Sequence, residues 1–153
     1  MAIDRQAAGI TILRICIGVF FIFEALGKIR WFTDPSILRS QLDGWLAAVP
    51  ATSLSHAYLE RFAIPGTAYF ARLVPIGEMT SGIALVLGVW PRLFAAIAFL
   101  MALNFHVASG VLFRYSFLTN GYGLPVLGST LALAFAAASS ARAPKRVAKP
   151  AKA

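Results

Sequence analysis

Four apolar runs, each long enough to cross a bilayer, constrain the fold of this chain more than any other feature. A transmembrane helix needs roughly 20 consecutive, mainly apolar residues. Inside a hydrocarbon core, only helices and closed barrels can satisfy every backbone hydrogen bond. We therefore predict an all-α bundle of four transmembrane helices, with spans at residues 10–29, 69–89, 93–113 and 119–138.

The composition supports an integral membrane protein. Hydrophobic residues make up 59% of the 153 residues, charged residues make up 13%, and the mean hydropathy is +0.75. An ordinary soluble domain carries about 25% charged residues. Because the runs occupy most of the chain, we expect residues 1–139 to form a single integral membrane domain without a separate catalytic module.

The positive charge is concentrated at the C-terminal end of the chain. The formal net charge is +8, which could suggest a nucleic-acid partner. However, residues 140–153 form an Ala/Pro-rich segment, and a basic segment beside a membrane span more simply contacts anionic lipid and stays in the cytoplasm. We therefore expect no nucleic-acid partner, a disordered cytoplasmic tail over 140–153, and both chain termini in the cytoplasm. The basic residues of the tail are Arg142, Lys145, Arg146, Lys149 and Lys152.

The longest connection, residues 30–68, then faces outward and carries its own helices. Asp34 followed by Pro35 is typical of a helix start, and apolar residues recur behind it at helical spacing. We predict an amphipathic helix over residues 34–49 that lies on the membrane surface or caps the bundle. A second short helix is predicted around residues 54–62.

Ionisable and polar side chains inside the apolar runs are the best indication of function, because an intramembrane charge is costly and rare. At a rise of 1.5 Å per residue, all of them fall in the central or outer part of the bilayer. Glu78 falls nearest the midplane, and Lys28 and Arg72 fall about 10 Å outward. We expect Glu24, Lys28, Arg72, Glu78 and His106 to face one another, with Asn104 and Asn120 in the same polar layer.

Each of these side chains also has a purely structural interpretation. Glu24 and Lys28 are four residues apart in the favourable order and could form only an internal ion pair. Arg72 could extend to the outer interface, and His106 could be a hydrogen-bonded packing residue. Glu78 cannot pair with Arg72 on one helix face, so it needs a proton or a partner from another helix.

Several chemistries are excluded by residues that the sequence lacks. Cys16 is the only cysteine, so disulfide exchange within the chain and Cys-ligated clusters are excluded. His106 is the only histidine in a predicted span, which leaves bis-histidine haem ligation without support. The sequence has no nucleotide-binding or metalloprotease motif, and we predict no metal site.

Diffuse motifs carry a resemblance to a known family. The first run contains Leu13-Arg14-Ile15, Gly18, Phe20-Phe21 and Gly27-Lys28. The second contains Pro75-Ile76-Gly77-Glu78, Gly82 and Gly88, followed by Arg92. Over residues 9–138 the chain resembles the DoxX family of four-helix bacterial membrane proteins, which is similar to the DoxD subunit of thiosulfate:quinone oxidoreductase. The resemblance implies the bacterial inner membrane and quinone-linked sulfur or thiol redox chemistry.

Two functional hypotheses follow. In the first, the chain is a quinone-linked redox subunit in which Glu78, Glu24 and His106 exchange protons as catalytic residues. Its ligand-binding residues would be Lys28, Arg72, Asn104 and Asn120, and a quinone would be the cofactor. In the second, the chain is a non-catalytic membrane scaffold or accessory subunit, and the polar layer only holds the bundle together. Both hypotheses imply contact with the lipid bilayer and with other membrane or periplasmic subunits, or a homo-oligomer.

Overall fold

The structure is a computed structural model that describes residues 5–140. Every regular element in this part of the chain is helical, which confirms the predicted all-α class. Apart from Ser140, the predicted basic tail lies outside the described residues. In chain order the elements are α1 (Arg5–Gly27), a 3₁₀ turn (Ile29–Phe32), α2 (Ser36–Ala48), α3 (Leu54–Tyr58), a π turn (Leu59–Ala63), α4 (Thr67–Leu87), α5 (Pro91–Ala108), α6 (Tyr115–Thr119) and α7 (Leu124–Ser140).

Three of the described helices are long and apolar enough to cross a membrane: α1 with 23 residues, α4 with 21 and α5 with 18. The fourth apolar helix, α7, is shorter than this length. The third predicted run ends early because Gly110, at φ 67°, adopts the left-handed conformation that commonly follows a helix. The fourth begins late because the Asn120 side chain accepts a hydrogen bond from the Tyr122 amide, which is typical of a turn.

Helices α1 and α4 make the closest contact in the bundle. A Cβ atom on Gly18 would lie 2.8 Å from the Gly82 carbonyl oxygen, and one on Gly82 would lie 2.7 Å from the Gly18 carbonyl oxygen. Both distances are shorter than real Cβ contacts, so the two backbones touch only because neither residue has a side chain. Small residues at a helix crossing permit this approach in membrane proteins.

The connection between α1 and α4 forms a hydrophobic core of its own, together with part of α4. Leu38 and Leu42 of α2 pack with Trp31, Leu59 and Ala71, and all five are buried. Helix α2 therefore closes one end of the bundle over the N-terminal half of α4. The predicted helix 34–49 is confirmed with slightly narrower bounds, and the predicted helix 54–62 is present as α3 and the π turn.

The start of α2 follows from a short local contact. The Asp34 carboxylate accepts hydrogen bonds from the backbone amide and hydroxyl of Ser36. An acidic side chain in this position satisfies an amide that has no partner within the helix. These hydrogen bonds hold the pKa of the exposed Asp34 carboxyl below its usual value.

Candidate functional site

Lys28 joins the two intramembrane carboxylates. Its ammonium nitrogen lies 2.7 Å from Glu24 Oε2 and 2.9 Å from Glu78 Oε1. It also donates to the Glu24 carbonyl oxygen at 3.2 Å. An ammonium group has three N–H donors, so the protein already occupies all of them. We call Glu24, Lys28 and Glu78 the ionic triad.

Helix packing explains why these three residues meet. Glu24 and Lys28 are one helical turn apart at the end of α1, which places them on the same face. The antiparallel contact at Gly18 and Gly82 then brings the middle of α4, where Glu78 lies, beside the end of α1. Lys28 and Glu78 are both nearly buried, at 8% and 6% exposure. The partner that Glu78 requires is therefore Lys28. Helix rise alone predicts that the two charged groups lie about 10 Å apart in depth, but in the structure they lie at the same level of the bundle.

The ionic triad is not electrically balanced. With all groups ionised it has two negative charges and one positive charge. Glu78 Oε2 is also buried without a hydrogen-bond partner among the described residues. A buried charged acceptor without a partner is destabilising by more than a neutral one. Glu78 Oε2 therefore needs either a proton of its own or a hydrogen-bond donor from outside the described residues.

A cavity of about 300 Å³ borders the triad. It lies between α1, α4, α5 and the segment that leads into α7, and α2 contributes Trp45 from one end. Its wall combines aromatic rings with the charged groups, an arrangement typical of small-molecule and cofactor sites. The wall residues are Phe20, Phe21, Glu24, Lys28, Trp45, Glu78, Met101, Ala102, Phe105, His106, Ser109, Asn120, Tyr122 and Val126.

His106 lies in this wall in a defined orientation. Its Nε2 atom is 2.9 Å from the Tyr122 carbonyl oxygen. A carbonyl can only accept, so Nε2 must carry the hydrogen. The edge of the ring also packs against Phe117, with 5.0 Å between the ring centroids. The backbone of the segment before α7 therefore positions His106.

Two residues proposed from the sequence lie outside this cavity. Arg72 is exposed, and its guanidinium donates to the Ala68 carbonyl oxygen at 2.6 Å. The expectation that it faces the other charges was wrong, because a spacing of six residues places it about 120° around the helix from Glu78. Asn104 accepts a hydrogen bond from the Tyr58 hydroxyl at 2.7 Å and lines a separate cavity of about 40 Å³.

The remaining sequence candidates do meet. Glu24, Lys28, Glu78, His106 and Asn120 all line the larger cavity. Their proposed catalytic and ligand-binding roles stay predictions, because shared location alone does not test a role.

Sequence reasoning missed the aromatic wall. The notable members are Phe20, Trp45, Phe105 and Tyr122. Trp45 belongs to the apolar face of α2, which sequence periodicity does identify, but its placement over the cavity depends on how α2 folds back. Tyr122 carries no sequence signal at all, because it lies in an irregular segment that tertiary contacts place beside Phe20.

A further cation in α1, Arg14, is not part of the site. Its guanidinium occupies the space where a side chain on Gly88 would stand. Gly88 ends α4 at φ 75°, so it avoids both a strained backbone and a clash with Arg14. A cation near a helix C-terminus interacts favourably with the helix dipole, which gives Arg14 a structural role.

No group of three potential metal ligands occurs among the described residues. The arrangement can exchange protons, donate and accept hydrogen bonds, and hold a ring between aromatic side chains.

Comparison with known proteins gives one finding. Neither the curated proteins nor the solved structures contain a match to this chain. The model of the DoxX family matches residues 9–109, a region that includes most of α1, all of α4 and α5, and the whole ionic triad. This match covers well over half of the chain and includes the motifs that surround Glu24 and Glu78. The chain therefore belongs to the DoxX family.

Proposed function

We propose that this DoxX family membrane protein is a quinone-linked redox subunit whose cavity binds a quinone head group. The observation that supports this most directly is the aromatic cavity beside a buried, incompletely satisfied carboxylate. A head group of this kind combines a flat apolar ring with oxygen atoms at its edge. The cavity offers the matching surfaces: aromatic faces for the ring and titratable groups for the oxygens.

The aromatic side chains are arranged to hold a ring. Trp45 and Phe105 are perpendicular to each other, with centroids 4.8 Å apart, and Phe20 contacts Tyr122 at 5.6 Å. Aromatic rings interact favourably in edge-on and offset geometries. A planar ligand in the cavity would meet aromatic side chains on more than one side.

The titratable groups supply proton exchange. Reduction of a quinone to a quinol takes two electrons and two protons. We assign Glu78, Glu24 and His106 to proton exchange with the two ring oxygens. The electrons come from a thiol or another reduced sulfur compound held by a partner subunit, which is oxidised in the same step. Cys16, the only cysteine, is exposed on α1 and does not line the cavity.

The proposal includes a topology. We infer four membrane crossings in the inner membrane of a bacterium, with both termini in the cytoplasm and α2 on the outer side. Helix α7 has 17 residues, which span about 25 Å. The bilayer core is about 30 Å thick, so the irregular residues before α7 complete the fourth crossing. Partner subunits in the membrane or periplasm, or another copy of the chain, would complete the assembly.

A second candidate is a non-catalytic scaffold, and one observation favours it. All three donors of Lys28 are used within the chain. The ionic triad could therefore serve only to join α1 to α4. Under this alternative, the cavity would bind no quinone, and loss of the triad would lower the amount of folded protein.

Photolabelling in native membranes separates these candidates. We expect a photoreactive quinone to label peptides of α1 and α5, and unmodified quinone to compete. Ala102→Trp, which fills the cavity, should abolish this labelling. Leu100→Trp adds the same ring at an exposed position of the same helix, and labelling should persist. Labelling that is absent, or equal in both variants, would favour the scaffold.

A further inference from the structure

We infer that the cavity prefers the reduced, hydroxyl-bearing ligand, a quinol, over the quinone and over sulfur oxyanions. This inference rests on the proposed function, because it specifies which form of the head group the same cavity holds. It depends on a count of the hydrogen-bond donors and acceptors that the triad has left.

The ionic triad has no donor left for a ligand. Lys28 contacts Glu24 Oε2, Glu78 Oε1 and the Glu24 carbonyl oxygen. These three acceptors match the three N–H groups of an ammonium. Lys28, one of the ligand-binding residues proposed from the sequence, is therefore not available to stabilise an anionic ligand.

The triad does have acceptors left. Glu78 Oε2 is buried and has no partner among the described residues. Glu24 is bound to Lys28 through Oε2 only, so its other oxygen can also accept. Ionised carboxylate oxygens accept and never donate. The hydroxyl of a quinol can donate to a free carboxylate oxygen, whereas a quinone carbonyl cannot.

His106 adds a third acceptor. Its Nε2 atom donates to the Tyr122 carbonyl. In a neutral imidazole the other nitrogen then carries no hydrogen and can only accept. The cavity thus has accepting groups on α1, α4 and α5, which suits a ring with more than one hydroxyl.

The donors in the rest of the wall are neutral. They are the indole N–H of Trp45, the amide of Asn120 and the hydroxyls of Tyr122 and Ser109. The Ser109 hydroxyl already donates to the His106 carbonyl oxygen. With all three groups ionised, the two carboxylates and one ammonium leave an excess negative charge, which disfavours an anion close to them. A sulfur oxyanion therefore does not fit beside the triad, and the electron donor must bind elsewhere, on a partner.

The same count of donors and acceptors explains how the cavity can also bind the quinone. A protonated Glu78 donates one hydrogen bond to a quinone carbonyl. When that proton moves to the ring during reduction, Glu78 becomes the acceptor of the new hydroxyl. The preference for quinol thus belongs to the ionised triad, and Glu78→Gln, which keeps an acceptor and adds donors, should weaken it.

An anaerobic titration tests the inference. The protein in lipid nanodiscs at pH 8 is titrated with tetramethyl-1,4-hydroquinone and, separately, with tetramethyl-1,4-benzoquinone, and the shift of the unfolding midpoint is recorded. We expect the wild type to bind the hydroquinone about tenfold more tightly, the effect of one hydrogen bond to a charged acceptor. In Glu78→Gln this ratio should fall toward one or reverse.

Glu60→Gln is the matched control, because Glu60 is exposed and lies in the π turn outside the cavity. It should keep the wild-type ratio. If Glu78→Gln does not accumulate, Glu24→Gln gives the same comparison on the other carboxylate.

Four results would overturn the inference. If the wild type binds the quinone as tightly as the hydroquinone, or more tightly, the inference is wrong but the proposed function stands. The same holds if the carboxylate variant keeps the wild-type ratio of the two affinities. Displacement of the hydroquinone by thiosulfate would contradict the exclusion of anions. Binding of neither ring compound would overturn the proposed function together with this inference.

Discussion

Lys28 lies one residue beyond the end of α1, and its side chain returns toward the middle of the bundle. It is nearly buried and bonds to carboxylates on two different helices. A buried ion pair does not necessarily stabilise a protein relative to apolar side chains, but removal of one partner is strongly destabilising. Lys28 is therefore the residue on which the integrity of the triad depends.

The first prediction concerns Lys28→Met. This change leaves the carboxylates of Glu24 and Glu78 close together without a cation. We expect the free energy of unfolding to fall by about 3–5 kcal/mol, toward the lower end because a third of the Glu24 side chain is exposed. Denaturant titration in detergent micelles would measure it.

Arg39→Met provides the control for Lys28→Met. Arg39 also pairs with an acidic residue four positions away, but both side chains of that pair are about half exposed. An exposed pair contributes less than about 1 kcal/mol. Similar losses in the two variants would contradict a special role for the triad. Adding Glu78→Gln to Lys28→Met should recover part of the loss.

The second prediction is a pH dependence at the start of α2. The pKa of Asp34 is lowered by its hydrogen bonds to Ser36, so the carboxylate stabilises the folded state above the ordinary pKa of about 4. That contribution is lost as the pH falls through the lower, folded-state pKa. We expect amide-exchange protection factors at the start of α2 to decrease in this acidic range. Asp34→Ala should show the decrease already at neutral pH, and unchanged protection would contradict the capping role.

At the scale of elements, the packing of α1 on α4 determines the geometry of the site. Glu24 lies on α1, Glu78 lies on α4, and Lys28 directly follows α1. Gly18 and Gly82 bring the two helix backbones into contact. An added methyl group at this crossing must push the helices apart. The distance between Lys28 and Glu78 would then increase as well.

The third prediction therefore concerns Gly82→Ala. We expect a loss of about 1–3 kcal/mol from overpacking, together with weaker binding of ring ligands. Gly128→Ala on α7 is the matched control, because a Cβ there meets nothing within 4 Å. Removing a helical glycine should be neutral or stabilising, by up to about 1 kcal/mol. If the unfolding curves of the two variants coincide, the helix crossing tolerates a methyl group.

At the scale of the whole molecule, one end of the bundle differs from the other. Helices α2 and α3 cover the end near the cavity, while the opposite end carries the tight turn between α4 and α5 around Trp90. The cavity lies nearer the covered end. The orientation of the bundle in the membrane therefore determines from which side protons and partner subunits reach the cavity.

The fourth prediction tests that orientation. In a Cys16→Ser background, we expect Ser40→Cys on α2 to react with an impermeant thiol reagent added outside cells. Ser140→Cys at the end of α7 should react only after the membrane is opened. Reaction of both from the same side would contradict four crossings with cytoplasmic termini.

Much of the fold could be predicted from the sequence because its signals are local. Hydropathy identifies α1, α4 and α5 as membrane helices, and the Asp34-Pro35 start with an apolar period identifies α2. The bounds of α5 and α7 were less accurate, since a left-handed Gly110 and the turn at Asn120 depend on backbone geometry that hydropathy does not report.

The candidate site, like the fold, could be predicted from the sequence only in part. The sequence by itself determined which residues are costly in a membrane, because that cost depends on residue type and on membership of an apolar run. It also determined that Glu78 needs a partner, since no opposite charge shares its helix face. Only the tertiary structure decided that the partner is Lys28, that Arg72 and Asn104 lie elsewhere, and that aromatic side chains line the cavity. Those outcomes depend on how far one helix is shifted along another and on how a connection folds back, and both follow from contacts between distant parts of the chain.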